Sequence, residues 1–177
     1  MSEIIRVGIA QMNICRAPDK IVTVGLGSCV GVVLFDEKSK TAGLVHVMLP
    51  DSSKMKNNSN IIKFADTGID ALINALEEAG IRKCNLKAKI AGGACMFTFV
   101  SNEIGSIGRQ NVDAVRAKLQ EHKIKIVAED VGDKYGRTIK FDPSNCELEI
   151  SKSGNQKKYI HLPVMCHCCF GNRYNFR

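Results

Sequence analysis

Residues 22–50 read VTVGLGSCVGVVLFDEKSKTAGLVHVMLP and contain two apolar runs on either side of a polar turn. The runs 30–35 and 42–48 are almost continuously apolar, which is typical of strands buried on both faces. Residues 36–40 are polar, and a short polar turn folds one strand back onto its neighbour. The stretch therefore predicts a hairpin at the centre of the fold.

This hairpin carries a cysteine and a histidine in places suited to chemistry. Cys29 directly precedes the first run, after Gly25 and Gly27, and His46 lies near the end of the second run. The glycines give the backbone the freedom to form a turn that exposes a thiol, and backbone N–H groups of such a turn can converge on the group attacked. A histidine on the adjacent strand can take the thiol proton. These are the parts of a cysteine amidohydrolase, although cysteine is also among the most buried residue types and spacing alone leaves a structural role open.

The rest of the chain predicts further strands and two helices around the hairpin. We expect strands at 4–12, 20–24, 86–91, 124–131, 137–141 and 147–151, a loop at 51–60, and helices at 61–79 and 110–122. The helix faces expected in the core consist of Ile61, Ala65, Ile69, Leu72, Ile73 and Leu76 in the first helix and Val112, Val115 and Leu119 in the second. Many strands with two helices indicate an α+β fold.

Length and composition agree with one domain. A chain of 177 residues with 45% hydrophobic content can bury one sizeable core. The sequence has no apolar run of about 18 residues and no charged start followed by an apolar stretch, so we expect no membrane insertion and a cytoplasmic location. The eight cysteines are scattered, and we expect them to be reduced thiols rather than a disulfide framework.

The chain is basic, with 25 basic and 18 acidic residues and a formal net charge of +7. The basic residues are dispersed and no nucleic-acid module is recognisable, so we expect no nucleic-acid partner. The charge is better suited to an acidic protein surface. The pairs Gly25 with Gly27 and Gly105 with Gly108 lack the full dinucleotide or phosphate-loop pattern, and we interpret them as turns.

Several motifs, in order, resemble those of the chemoreceptor glutamine deamidases, the CheD family of bacterial and archaeal chemotaxis. They cover most of residues 4 to 150 and form two signatures. The motifs are VTVGLGSCV at 22–30, FD at 35–36, Gly43, VHVMLP at 45–50, KIAGGA at 89–94, MF at 96–97 and IGRQN at 107–111.

The resemblance implies hydrolysis of particular glutamine side chains in receptor cytoplasmic domains, giving glutamate and ammonia through a cysteine thioester. It also implies a β-sandwich of mixed sheets with helices packed outside. The family's nucleophile falls on Cys29, its general base on His46 and its orienting group on Thr23. We expect backbone groups of the turn, at Ser28 and Gly27, to support the oxyanion. This chemistry requires no metal or organic cofactor.

Two other functions stay open at this point. The resemblance also implies a partner in the CheC-type phosphatase of the response regulator, so the chain can instead be a regulatory binding module with little turnover. Phe97 and Phe99 are our candidates for that contact or for receptor binding, against an equal alternative in which they close the core. A third possibility is a cysteine hydrolase that acts on another amide or as a transglutaminase.

The C-terminal segment differs from the rest of the chain. We assign residues 1–154 to the deamidase domain and 155–177 to a basic, flexible tail that contains Cys166, His167, Cys168 and Cys169. Adjacent ligands cannot all close around one tetrahedral ion without strain, and structural zinc sites space their ligand pairs by two or more residues. We therefore expect no functional metal site in the tail.

Overall fold

The computed structural model describes residues 2–54, 59–95, 107–152 and 157–160 of the chain. These residues form ten strands, two α-helices and three short 3-10 helices. The strands are β1 (Ile4–Val7), β2 (Met12–Arg16), β3 (Lys20–Leu26), β4 (Val30–Asp36), β5 (Thr41–Val47), β6 (Lys87–Gly92), β7 (Lys125–Val131), β8 (Arg137–Asp142), β9 (Glu147–Lys152) and β10 (Lys157–Ile160). The helices are α1 (Ala65–Glu78) and α2 (Ile107–Glu121), and the 3-10 helices are Ser52–Lys54, Ile61–Lys63 and Lys83–Asn85.

The strands form two five-stranded sheets. The outer sheet has the order β1-β3-β8-β9-β10, and the central sheet has the order β2-β5-β4-β6-β7. Each sheet contains one parallel pair, β1 with β3 and β6 with β7, and its other pairs are antiparallel. The predicted α+β class with mixed sheets is confirmed.

The hairpin predicted from residues 22–50 forms the middle of the central sheet. Strands β4 and β5 pair from Val30 opposite Val47 to Asp36 opposite Thr41, and every residue of both strands is buried. One face of β4 packs under the helices, and the other face packs against the outer sheet. Both helices lie on the central sheet, so the layers run helices, central sheet, outer sheet.

The helical core faces agree with the sequence pattern except at one end. The predicted core residues of both helices are buried apart from Ile61, which is 52% exposed. Ile61 belongs to a short 3-10 helix, and the extended backbone of Phe64, with φ −107° and ψ 149°, separates that turn from α1. The predicted start of the helix at residue 61 is therefore wrong, because the chain bends before Ala65.

Two strands differ from the sequence expectation. The predicted strand 4–12 is wrong, because β1 ends at Val7 and β2 begins at Met12 in the other sheet. A turn that includes Ala10 at φ 55° carries the chain between the sheets. Strand β10 pairs with β9 although it lies in the segment assigned to the tail. None of the helices in the described ranges combines the length and the apolar character that crossing a membrane requires.

Candidate active site

Thr23 of the outer sheet and His46 of the central sheet meet between the two layers. The Thr23 side chain is 1% exposed, and its Oγ donates to the Val7 carbonyl oxygen at 2.7 Å. The same Oγ lies 2.8 Å from Nδ1 of His46. Because a hydroxyl has one hydrogen and Val7 receives it, Thr23 accepts at this contact and Nδ1 carries the proton. The hydrogen bonds thus fix the tautomer in which Nε2 of His46 has a free lone pair.

His46 is fully buried, and its backbone is held as well as its ring. Its N–H donates to the Gln11 carbonyl at 3.0 Å, and its carbonyl accepts from the Ala10 N–H at 3.1 Å. The turn between β1 and β2 therefore secures the strand at this residue. Burial lowers the pKa of His46 to about 4, so the ring is neutral at neutral pH.

Nε2 of His46 is buried and has no hydrogen-bond partner among the described residues. An unpartnered buried polar atom costs free energy, so native proteins seldom keep one without a use. With the tautomer set by Thr23, this nitrogen is an acceptor. The arrangement can therefore take a proton from a group that approaches Nε2.

Cys29 lies on the same face of the hairpin as His46. Gly31 is directly opposite His46 in the β4–β5 register, and Cys29 stands two residues before Gly31. Cys29 lies in the bend just before β4, and diagonal cross-strand neighbours lie about 7–8 Å apart or somewhat less between Cβ atoms. Cys29 packs, partly buried, against the core cluster between the sheets, which is where His46 points. The structure thus brings the three predicted catalytic residues to one region.

The thiol of Cys29 is protonated at rest. Burial raises the pKa of Cys29, and its own backbone N–H offsets only part of that rise. Since burial also keeps the His46 ring neutral, the resting pair is a thiol and an imidazole rather than an ion pair.

Hydrogen bonds from the segment after β6 to carbonyl groups of the Cys29 turn hold that turn in place. The carbonyl oxygens of Gly27 and Cys29 accept from the N–H groups of Ala94 and Gly93 at 2.7 and 2.8 Å. The Gly27 N–H already donates to the Gly25 carbonyl at 3.0 Å, so Gly27 supports the turn through its backbone conformation rather than as a free donor. The candidates for oxyanion donors are then the amides of Ser28 and Cys29.

The glycine pair Gly92 and Gly93, at the end of β6, brings the second signature close to the Cys29 turn. Gly92 has φ +119°, and a Cβ built on it would lie 2.2 Å from the Cys29 carbonyl oxygen. Gly93 has φ +66°, and its Cβ would lie 2.3 Å from Cγ2 of Val112. A side chain at Gly92 would collide with the Cys29 turn, and one at Gly93 would collide with α2. The Gly-Gly motif therefore permits the close backbone approach that holds the cysteine.

Asn111 of α2 also holds the Cys29 turn, although the sequence predicts no role for this residue. The side chain is fully buried, and Nδ2 donates to the carbonyl oxygens of Ser28 at 2.9 Å and Met48 at 2.8 Å. A signal was present in the sequence, because Asn111 occupies the apolar stripe of the helix with Val112 and Val115. A polar residue on a core face needs specific partners.

Comparison with known proteins identifies the family of this chain. The family model described as CheD chemotactic sensory transduction matches residues 48–152. A probable chemoreceptor glutamine deamidase CheD of Lachnoclostridium phytofermentans is 54% identical over 161 residues, which cover 90% of this chain and all of that relative. The chain belongs to the CheD family. The resemblance stated from the motifs is thereby confirmed.

Two further CheD relatives show the same extent of similarity. The chemoreceptor glutamine deamidase CheD of Bacillus licheniformis is 56% identical over 151 residues, which cover 84% of this chain and 90% of that protein. The enzyme of the same name from Halalkalibacterium halodurans is 50% identical over 162 residues, which cover 90% of this chain and all of that protein. The similarity to CheD proteins is thus global and includes both sheets.

Some predicted residues of this CheD chain lie outside the described ranges. Phe97 and Phe99 are among them, as is the Cys166 to Cys169 segment. The contact proposed for the two phenylalanines, with a receptor or with a CheC-type phosphatase, stays a prediction.

Proposed function

We propose that this chain hydrolyses the side-chain amides of specific glutamines in chemoreceptor cytoplasmic domains, with Cys29 as nucleophile, His46 as base and Thr23 as the group that orients His46. One observation carries the proposal. Thr23 holds Nδ1 of a buried, neutral His46, and Nε2 has no partner among the described residues and lies on the face of the hairpin against which Cys29 packs. The relatives are named as chemoreceptor glutamine deamidases, which supports the substrate class.

The first half of the reaction forms a thioester. Sγ of Cys29 attacks the carbonyl carbon of the glutamine side chain while its proton passes to Nε2 of His46. The carbonyl electrons move to oxygen, and the backbone N–H groups of Ser28 and Cys29 stabilise that oxyanion. The protonated His46 then gives its proton to the amide nitrogen, the C–N bond breaks and ammonia leaves.

The second half restores the enzyme. Nε2 of the neutral His46 takes a proton from water as the water oxygen attacks the thioester carbonyl. The C–S bond then breaks, the thiolate recovers a proton from His46, and glutamate is released. Each cycle consumes one water and one glutamine side chain and produces one glutamate and one ammonia.

Because His46 and Cys29 are buried, both are uncharged until the reaction begins. The environment disfavours both the imidazolium and the thiolate, and Thr23 offers a hydrogen bond without a countercharge. Proton transfer is therefore favourable only as the sulfur attacks, when the developing oxyanion is met by backbone donors. Cys29 therefore loses its proton only when substrate is bound. Without substrate it stays a thiol, which is less easily oxidised than a thiolate.

The positive charge of the chain supports an acidic substrate surface. A net charge of +7 attracts glutamate-rich receptor helices, and this attraction weakens as salt is added. We expect kcat/KM for receptor fragments to fall with ionic strength while kcat changes little.

The test is ammonia release with peptide mass mapping on receptor cytoplasmic fragments. Wild type should convert glutamine to glutamate, and Cys29→Ala should not. Cys84→Ala is the matched control, because Cys84 is an exposed free thiol outside the site. Conversion that survives Cys29→Ala, or that is lost in Cys84→Ala, would overturn the assignment.

A further inference from the structure

The buried side chain of Asn111 links three segments that meet at the site. Its two amide hydrogens go to two different carbonyls, those of Ser28 and Met48. Ser28 precedes the nucleophile, and Met48 is two residues beyond His46. One side chain of α2 therefore holds both the cysteine turn and the end of the histidine strand.

The contact between Asn111 and the Ser28 carbonyl also fixes the direction of the Cys29 N–H. The Ser28 carbonyl and the Cys29 N–H belong to the same peptide unit, and in a trans peptide these two groups point in opposite directions. Among the described residues the cis peptide is Ala17–Pro18, so the Ser28–Cys29 unit is trans. Holding the carbonyl toward Asn111 directs the Cys29 N–H away from α2.

The direction of the Cys29 N–H agrees with its effect on the pKa of the Cys29 thiol. The Cys29 backbone N–H offsets part of the burial effect on the pKa of its own sulfur, which requires the N–H to lie near Sγ. The preceding peptide unit is held as well, because the Gly27 carbonyl accepts from the Ala94 N–H at 2.7 Å.

We infer that Asn111 is a positioning residue that aims the Cys29 amide as an oxyanion donor. The inference rests on the proposed function, since it names the residue that prepares the donor used there. Asn111 touches neither substrate nor sulfur in this role. It acts by fixing a peptide plane before the reaction begins.

The experiment compares two reactions of Cys29 that differ in their need for an oxyanion donor. With p-nitrophenyl acetate, Sγ attacks a carbonyl carbon, a tetrahedral oxyanion forms and nitrophenolate leaves. With iodoacetamide, Sγ attacks a saturated carbon and iodide leaves, so no oxyanion forms. Both rates are taken at Cys29 by peptide mapping, with the Cys29→Ala background subtracted.

Asn111→Ala should slow acylation by about tenfold or more, because removal of one oxyanion donor costs about 10²–10³ in other hydrolases and misdirection costs part of that. Alkylation should change by less than about threefold, because the sulfur and His46 remain. Parallel losses in both reactions would show a merely structural role. Unchanged acylation would show no role at all.

Two variants keep the result independent of folding. Val115→Ala truncates a fully buried residue one turn along α2, so it should lower Tm with both rates unchanged. Asn111→Asp keeps the shape but has one donor, and only while protonated. Since burial raises the pKa of a carboxyl group, its acylation defect relative to wild type should be smaller at about pH 6 than at about pH 8. An Asn111→Asp defect that is the same at both pH values would overturn the inference.

Because p-nitrophenyl acetate is not a receptor, it tests the positioning role of Asn111 independently of the proposed substrate. If wild type releases no ammonia from receptor fragments yet Asn111→Ala separates acylation from alkylation, the receptor assignment fails and the positioning role stands. If wild type deamidates receptors and Asn111→Ala does not separate the two rates, the positioning role fails alone.

Discussion

Two buried basic side chains enter the layer between the sheets from the strands that flank β4. His46 comes from β5 and Lys89 from β6, and both are fully buried. Nζ of Lys89 donates to the carbonyl oxygens of Cys146 at 2.6 Å and Ile160 at 2.7 Å. His46 has its Nδ1 paired with Thr23, and its Nε2 is unpartnered among the described residues.

We interpret this difference as a structural use of burial at Lys89 and, in the proposed mechanism, a reactive use at His46. Burial lowers the pKa of both groups, to about 8 for Lys89 and about 4 for His46. The two hydrogen bonds from Lys89 to carbonyl oxygens offset the free-energy cost of burying its amino group. They also connect β10 and the turn at Cys146 to the central sheet. Nε2 of His46 has no partner among the described residues, and it can therefore accept a proton from a group that approaches it.

The largest expected effect is the loss of activity on replacing His46, compared with the replacement of Lys89. His46→Gln should lower kcat for deamidation by about 10³-fold or more, because the general base is lost. Lys89→Met should leave kcat within about threefold of wild type, since Lys89 contacts neither Cys29 nor His46. It should lower the free energy of unfolding by about 1–3 kcal/mol, because two buried carbonyls lose their donor. Steady-state kinetics and denaturant titration measure the two effects, and an inactive but stable Lys89→Met would break the distinction.

A smaller effect is expected when the orienting hydroxyl is removed. Thr23→Val keeps the shape and loses the acceptor of the Nδ1 proton, so kcat should fall about 10- to 100-fold as the ring loses its tautomer and its position. Thr23→Ser retains the hydroxyl and is the matched control, with kcat near wild type. Equal losses in the two variants would mean that the methyl group, rather than the hydrogen bond, is what His46 needs.

The two groups should also affect stability in different pH windows. His46 has a folded pKa of about 4, below its ordinary 6.5, so the unfolded chain binds a proton first and stability is lost as pH falls through this range. Lys89 has a folded pKa of about 8, below 10.5, so stability is gained as pH rises from 8 to 10.5. Each change is about 3 kcal/mol at most.

Differences between wild type and each variant isolate these windows. The advantage of wild type over His46→Gln should shrink between pH 6.5 and 4, and that over Lys89→Met should grow between pH 8 and 10.5. Urea titrations across pH provide the comparison. A flat difference in either window would contradict the assigned protonation state of that residue.

The smallest effect is expected at an exposed charged pair. Arg116 contacts both carboxylate oxygens of Glu129, and the two side chains are 43% and 40% exposed. Arg116→Gln should change the free energy of unfolding by less than about 1 kcal/mol and leave kcat unchanged, because solvent screens the pair. A loss as large as that of Lys89→Met would show that burial is not the deciding factor.

The sequence predicts the centre of this molecule better than its edges. The β4–β5 hairpin has an apolar run, a polar turn and a second apolar run, so local pattern is enough. The pairing of Thr23 with His46 follows from the family resemblance, and its geometry confirms that they lie together. Strand β2 was missed because a turn without proline, at Gly8 to Gln11, moves the chain between sheets. Strand β10 was missed because its anchors on β9 and Lys89 are far away in sequence.

Buried polar residues were the other gap. Asn111 lies on an apolar helix face and Lys89 stands between Ala88 and Ile90, yet the partners of both are backbone carbonyls, which have no signature in the sequence. Such contacts depend on the relative placement of segments that only the folded chain provides. The pattern can mark these residues as unusual, and the structure is needed to say what they hold.

The most direct test of this account is the ¹⁵N NMR spectrum of the His46 ring at neutral pH, assigned by its loss in His46→Gln. We expect a neutral ring with the proton on Nδ1 and none on Nε2, and we expect Thr23→Val to disturb this tautomer. A proton on Nε2, or an imidazolium at neutral pH, would contradict it.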